Sequence, residues 1–174
     1  MLPDEGMIVI VMGVSGCGKS TIGQLLASRL KFPFLDADEF HPRANVAKMA
    51  SGTPLTDADR WPWLKNLNGK LRGNENAVLA CSALKESYRT VLSAGLADCR
   101  FVHLRGSIEL IRARLAERKH RYMPASLLES QFAALEAPRG AIEIDIAQPP
   151  GRCVEEILAA LLPSGGAAVR APVG

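Results

Sequence analysis

The chain has 174 residues, 48% of them hydrophobic and 22% charged, with a formal net charge of +3. These are the proportions of one soluble globular domain with a substantial core. The small positive charge suits an anionic small ligand and argues against nucleic acid, and Cys17, Cys81, Cys99 and Cys153 lack the spacing of a zinc site or a disulfide framework, which points to a reducing compartment.

The opening MLPDEG is acidic and the apolar run after it is short. Neither a signal peptide nor a membrane span is expected, and the protein reads as cytoplasmic. Met7–Met12 (MIVIVM) is a continuous apolar run, expected as a strand buried on both faces. Lys19–Leu30 carries Ile22, Leu25, Leu26 and Leu30 at helical spacing. Phe32–Leu35 reads as a second strand. Pro42–Ala50 reads as a short helix, and Ser51-Gly52-Thr53-Pro54 as a turn. The next helix bears Trp61, Leu64, Leu67 and Leu71. Pro62 is expected in its first turn, because a deeper proline breaks a helix.

Ala77–Cys81 and Arg100–Leu104 are the third and fourth strands. Ile108–Lys119 is a helix with Leu110, Ile111 and Leu115 inward. Ser126–Leu135 is helical after an interruption at Tyr122-Met123-Pro124. Ala141–Ile146 is the fifth strand and Val154–Leu162 a closing helix. Strands alternating with helices predict an α/β fold with a five-stranded parallel sheet. One domain is expected over 1–163, with a helical insert at 42–72, a lid at 118–137 and a frayed tail at 164–174. Ligands in such sheets bind beyond the carboxyl ends of the strands.

Gly13-Val14-Ser15-Gly16-Cys17-Gly18-Lys19-Ser20 matches G-x-x-x-x-G-K-[ST], between a strand and a helix as the motif requires. Glycines let the loop fold tightly and aim backbone N–H groups at phosphate oxygens. The helix beginning near Lys19 adds its positive end. Lys19 should reach the β- and γ-phosphates, and the Ser20 hydroxyl should ligate Mg²⁺; Thr21 follows in the same turn.

Such sites need a further acid near Mg²⁺. Strand three ends Cys81-Ser82 and strand four Arg105-Gly106, whereas strand two ends in Asp36 with Asp38 two residues on. An extended backbone would point both acids the same way. One could hold Mg²⁺ through water, and the other could orient and deprotonate an acceptor hydroxyl. The alternative is that they cap the following helix. His41 is either a substrate-hydroxyl ligand or a packing residue.

Arg43, Lys48, Arg60, Lys85 and Arg89 border the same side. Lys85 and Arg89, four apart, are expected to share a helix face and to suit an anionic acceptor. Arg112, Arg114, Arg118, Lys119, His120 and Arg121 form a second basic cluster in a hinged segment able to close over ATP. No aromatic interleaving supports a nucleic-acid surface. The nearest rival reading is a kinase of the same fold with another small-molecule acceptor; a nucleotide switch is a rival of a different class, but no guanine-reading N-K-x-D element is present.

MGVSGCGKST, FLDADEFHPRANVAKMASGTPLTDADRWPWL, CSALKESYR, ERKHRYMPASLLESQFAALEAP and IDIAQPP together resemble the gluconate kinases, small relatives of shikimate and adenylate kinases. The resemblance spans most of Met7 to Pro150. It implies a nucleoside-monophosphate-kinase-like P-loop fold and ATP-dependent phosphorylation of the 6-hydroxyl of D-gluconate. It also implies a homodimer and a lid over ATP. It places Asp36 as the Mg²⁺-associated acid and Asp38 as the acid facing acceptor hydroxyls. It puts Arg114 near adenine, Arg118 near the lid, and Gln148-Pro149 at the adenine edge. Ala37 stands where the family more often has glycine. Cys17 holds a variable loop position and suggests sensitivity to thiol reagents.

Overall fold

A computed structural model describes residues 6–117 and 125–162. Five strands form one parallel sheet: β1 (Ile8–Met12), β2 (Phe34–Asp36), β3 (Ala77–Ala80), β4 (Cys99–Arg105) and β5 (Ile142–Asp145), in the order β2-β3-β1-β4-β5. The helices are α1 (Lys19–Leu30), α2 (Arg43–Ala50), α3 (Asp57–Arg72), α4 (Glu86–Ser93), α5 (Ile108–Glu117), α6 (Ala125–Ala134) and α7 (Pro150–Leu161). A 3₁₀ turn at Ala37–Phe40 follows β2.

β1 is central and buried throughout, so both of its faces carry apolar residues. Val9 and Val11 join Val102, Leu104 and Ile144 against Ile22 and Leu26 of α1 and Val154 and Ile157 of α7. Ile8, Ile10 and Met12 meet Leu64, Leu67 and Leu71 of α3 and Tyr88 and Leu92 of α4. Buried Asn68 ties α3 to the end of α4, donating to the carbonyls of Leu92 at 2.8 Å and Ala94 at 2.9 Å. Because every strand is parallel, the five carboxyl ends share one rim, and β1 delivers the glycine-rich loop to its middle.

Three local expectations change. Pro62 lies in the second turn of α3, not the first. A reciprocal cap starts this helix early: Asp59 N–H donates to Thr56 Oγ1 at 3.2 Å, and Thr56 N–H to Asp59 Oδ2 at 2.9 Å. The carbonyl that Pro62 leaves without a donor is that of Ala58, which is exposed and open to water. β2 begins at Phe34 because Lys31 takes a left-handed conformation (φ 59°) and Phe32 turns into the core. Lys85 and Arg89 do not share a helix face, since Lys85 is the extended residue before α4. Among the described residues, no helix is long and apolar enough to cross a membrane.

Candidate active site

The cradle follows β1. Gly16 (φ 84°) and Gly18 (φ 97°) occupy left-handed conformations that favour glycine. A Cβ on Gly16 would also sit 2.9 Å from Leu115 of α5, so the loop lies tight against that helix. Lys19 Nζ donates to the Val14 carbonyl at 3.0 Å, folding over the loop. Cys17 is fully buried in the core, so the expected thiol sensitivity at this position is corrected: its side chain faces inward. Thr21 is exposed in the first turn of α1.

Asp36 joins the cradle to the segment after β2. Its Oδ2 accepts from Ser20 Oγ at 2.8 Å and its Oδ1 from Asp38 N–H at 3.0 Å. The chain therefore leaves the strand immediately, and the extended Asp36-Ala37-Asp38 geometry expected from spacing does not form. Asp36, not Asp38, caps the 3₁₀ turn. This frees the Asp38 carboxylate, whose side chain is 63% exposed. Ser20 and Asp36 offer adjacent hydroxyl and carboxylate oxygens, which fit a hard cation. Among the described residues no cluster of three or more acidic, histidine or cysteine side chains could hold a metal. The pair therefore suits an ion that keeps waters and phosphate oxygens as its other ligands, as Mg²⁺ does.

His41 stacks on Trp63 with ring centroids 3.9 Å apart, and Trp63 Nε1 donates to the Ala37 carbonyl at 2.8 Å. Burial lowers the basicity of His41, with Asp38 opposing that shift and Arg60 adding to it. Arg43 is exposed at the start of α2. Lys48 pairs with Asp59 at 2.8 Å, and this bond, with the Thr56 amide, holds the Asp59 carboxyl down at about 2.

Arg60, Lys85, Tyr88 and Asp57 form one polar group between α3 and α4. Arg60 Nη1 donates to the Leu55 carbonyl at 2.6 Å and to Tyr88 Oη at 3.2 Å, while the Tyr88 hydroxyl donates to Asp57. Lys85 Nζ is 3.2 Å from Asp57 Oδ1. The Tyr88 hydroxyl and Lys85 hold the Asp57 carboxyl below its ordinary range. Arg89 departs from expectation. It is buried, and its guanidinium donates to the carbonyls of Ala83 (2.8 Å), Leu84 (3.1 Å) and Glu136 (3.0 Å). These bonds turn it inward to brace the loop after β3 against the segment after α6.

On the other side of the cradle, Arg114 of α5 donates to the Ile146 carbonyl, bringing α5 to the loop where Gln148 and Pro149 lie. Gln148 Nε2 donates to Glu156 at 3.0 Å, and Pro149 leads into α7. A cavity of about 390 Å³ opens nearby, lined by Val14, His103, Arg105, Ser107, Phe132 and Asp145. It lies on the β4–β5 side of the loop, whereas Asp38, Arg60 and Lys85 lie on the β2–β3 side. Arg118, and the part of the expected lid at residues 118–124, fall outside the described residues, as does the tail at 164–174.

Sequence reasoning missed Gln131 of α6. Its Oε1 accepts from Ser15 N–H at 2.7 Å, and its Nε2 donates to Ser15 Oγ at 3.0 Å. One carboxamide thus grips a residue of the phosphate cradle by both backbone and hydroxyl. Asp57, which accepts from the Tyr88 hydroxyl and from Lys85, is likewise unmarked by spacing.

The shikimate kinase family profile matches residues 15–139. A probable gluconokinase of Xenopus tropicalis is 43% identical over 87% of this chain and 91% of its own length. The thermosensitive gluconokinase of Escherichia coli (strain K12) is 41% identical over 88% of this chain and 89% of its own. The crystal structure of a gluconokinase from Sinorhizobium meliloti 1021 superposes with a TM-score of 0.86 at 42% identity, covering 92% of this chain and 94% of that one. With a cradle, parallel sheet and strand-end acids of this kind, the chain belongs to the gluconokinase family of shikimate-kinase-type P-loop kinases.

Proposed function

We propose that the protein transfers the γ-phosphoryl group of ATP to the 6-hydroxyl of D-gluconate, giving 6-phospho-D-gluconate and ADP. The observation that carries the site assignment is the double contact of Asp36. It bonds the Ser20 hydroxyl of the cradle and the backbone of Asp38, so the phosphate end and the acceptor end of the reaction meet at one carboxylate. The gluconokinase relatives supply the acceptor.

The loop amides from Gly13 to Ser20 hold the phosphates, and Thr21 extends the same helix start. Lys19 exchanges the Val14 carbonyl for phosphate oxygens. Ser20 and Asp36 would hold Mg²⁺, which when bound offsets charge on the β- and γ-phosphates. Asp38 orients the acceptor hydroxyl for in-line attack and takes its proton as the oxygen bonds phosphorus and ADP leaves.

His41 and Arg43 begin the acceptor wall. Arg60 and Lys85 face the carboxylate end, where the Tyr88–Asp57 pair holds them in place. Arg114, Gln148 and Pro149 edge the adenine. Arg118 closes over the transferring group. The protein is further proposed to act as a cytoplasmic homodimer, which light scattering tests for the assembly.

The test is ADP release by purified protein with Mg-ATP and a panel of gluconate, shikimate, other sugar acids and nucleoside monophosphates. Gluconate should be phosphorylated best. Faster turnover with another acceptor, or ATP hydrolysis that no acceptor accelerates, sinks this reading.

A further inference from the structure

Asn45 is buried on α2, and its side-chain nitrogen has two neighbours. It donates to the Asp59 carbonyl at 2.9 Å and lies 3.3 Å from His41 Nδ1. A carbonyl oxygen only accepts, so the amide cannot be flipped: the group facing Asp59 is the NH₂. The same NH₂ then faces His41 Nδ1, which must be the unprotonated acceptor. A neutral imidazole with a bare Nδ1 carries its proton on Nε2. Protonating Nδ1 would set two donors against each other in a buried place, where an unpaired polar group is costly.

The ring cannot turn away. It is stacked on Trp63, and the His41 side chain is only 3% exposed. Its Nε2 lies 3.9 Å from Asp38 Oδ1, too far for a direct hydrogen bond. A hydroxyl oxygen about 2.8 Å from each atom fits this gap as the apex of a bent bridge. The charges facing the ring are Asp38 from the 3₁₀ turn and Arg60 from α3. Asp59 presents its carbonyl to Asn45, while its carboxylate is engaged by Lys48.

We propose that His41 and Asp38 together read the acceptor hydroxyl that is phosphorylated. His41 donates to its oxygen through a fixed Nε2–H, Asp38 accepts its hydrogen, and Asn45 is the positioning residue that sets the tautomer. A donor and an acceptor at this spacing match a hydroxyl, which is both. They mismatch a carboxylate, which accepts only, or an ammonium, which donates only. The pair therefore selects which end of a sugar acid enters the reaction. This rests on the gluconate reading above.

Two measurements test it. Long-range ¹H–¹⁵N spectra of histidine-labelled protein should show His41 neutral with Nε2 protonated at about pH 7. The three histidines, His41, His103 and His120, are distinguished by the loss of one signal set in His41→Phe. A ring protonated on Nδ1 overturns the proposal whatever the substrate. In binding assays His41→Phe keeps a stacking ring but no donor. It should weaken gluconate about tenfold, the cost of one neutral hydrogen bond, and leave 6-deoxygluconate unchanged. Equal weakening of both ligands means that His41 only shapes the wall, and overturns the assignment. A wild-type protein that does not phosphorylate gluconate sinks the reaction, and the imidazole spectrum then decides the tautomer by itself.

Discussion

Replacing Asp38 by Asn separates chemistry from folding better than any other change at this site. The Asp38 side chain is 63% exposed, and no hydrogen bond to its carboxylate is found among the described residues. What holds the turn is the Asp38 backbone N–H, bonded to Asp36 Oδ1, and an asparagine keeps that N–H. Stability should therefore change by no more than about 0.5 kcal/mol, the usual range for a surface substitution. The shape of the acceptor wall is also kept, because Asn and Asp are isosteric. What disappears is a proton acceptor. A positioned general base contributes roughly 10²- to 10⁴-fold, or about 3–5 kcal/mol of barrier. Turnover at saturating Mg-ATP and gluconate, followed by ADP release, should fall by that factor while the melting temperature and nucleotide affinity stay put. A kcat within about tenfold of the parent, with the fold intact, would refute the assignment of Asp38 as base.

Other outcomes follow from the same geometry. Asp36→Asn keeps an oxygen for the Asp38 amide but loses charge beside Ser20, so the Mg²⁺ concentration giving half-maximal rate should rise roughly 10- to 100-fold; an unchanged Mg²⁺ titration would remove Asp36 from the metal site. Gln131→Glu still accepts from Ser15 N–H but places a negative charge in the phosphate cradle. It should weaken Mg-ATP binding more than Gln131→Ala does, and the reverse order would mean that the carboxamide only braces the loop. Burial sets His41 below its ordinary value of 6.5, so the unfolded chain binds the extra proton first as pH falls. Stability should decline from about pH 6.5 downward through the lowered value. His41→Phe should flatten that part of the melting-temperature profile, and a parallel profile would show that another group is responsible.

The parts of the structure legible in the sequence are those dictated over short spans. α1 begins and ends where its motif and apolar spacing place it, because the cradle glycines and the 3.6-residue period act within a dozen residues. The sheet is legible for a related reason: β1 (IVIVM) and β3 (AVLA) are continuous apolar runs, and β5 (IEID) alternates over four residues. Pro62 sits deeper than the proline rule places it because a Thr56–Asp59 cap, which starts the helix five residues earlier, outweighs one missing donor whose partner carbonyl is exposed. The helix face that four-residue spacing gives Arg89 and Lys85, suited to an anionic acceptor, does not form because α4 starts only after Lys85. The partners of Arg89 are carbonyls, among them Glu136 47 residues away, and carbonyls leave no mark on side-chain patterns. Gln131 lies 116 residues from Ser15, inside a helix whose periodicity accounts only for its apolar neighbours.

The segment after β2 departs from the geometry that spacing suggests. Spacing puts Asp36 and Asp38 on one side of an extended strand, whereas the chain enters a 3₁₀ turn at Ala37. In an extended strand both carboxylates would compete for the same region beside the cradle, and their like charges would repel. The turn divides them. Asp36 is held by Ser20 and the Asp38 amide, while the Asp38 carboxylate turns outward, 3.9 Å from His41 Nε2. Ala37 is fully buried beneath this turn, and its carbonyl takes the Trp63 indole N–H. The same indole supports the His41 ring. A residue that enlarges position 37 would therefore push on the Trp63–His41 stack and on the division of labour between the two acids. A glycine there would keep the carbonyl but loosen the backbone by roughly 0.5–1 kcal/mol of conformational freedom. The alanine is consistent with a turn that must stay closed for the proposed division of roles between Asp36 and Asp38.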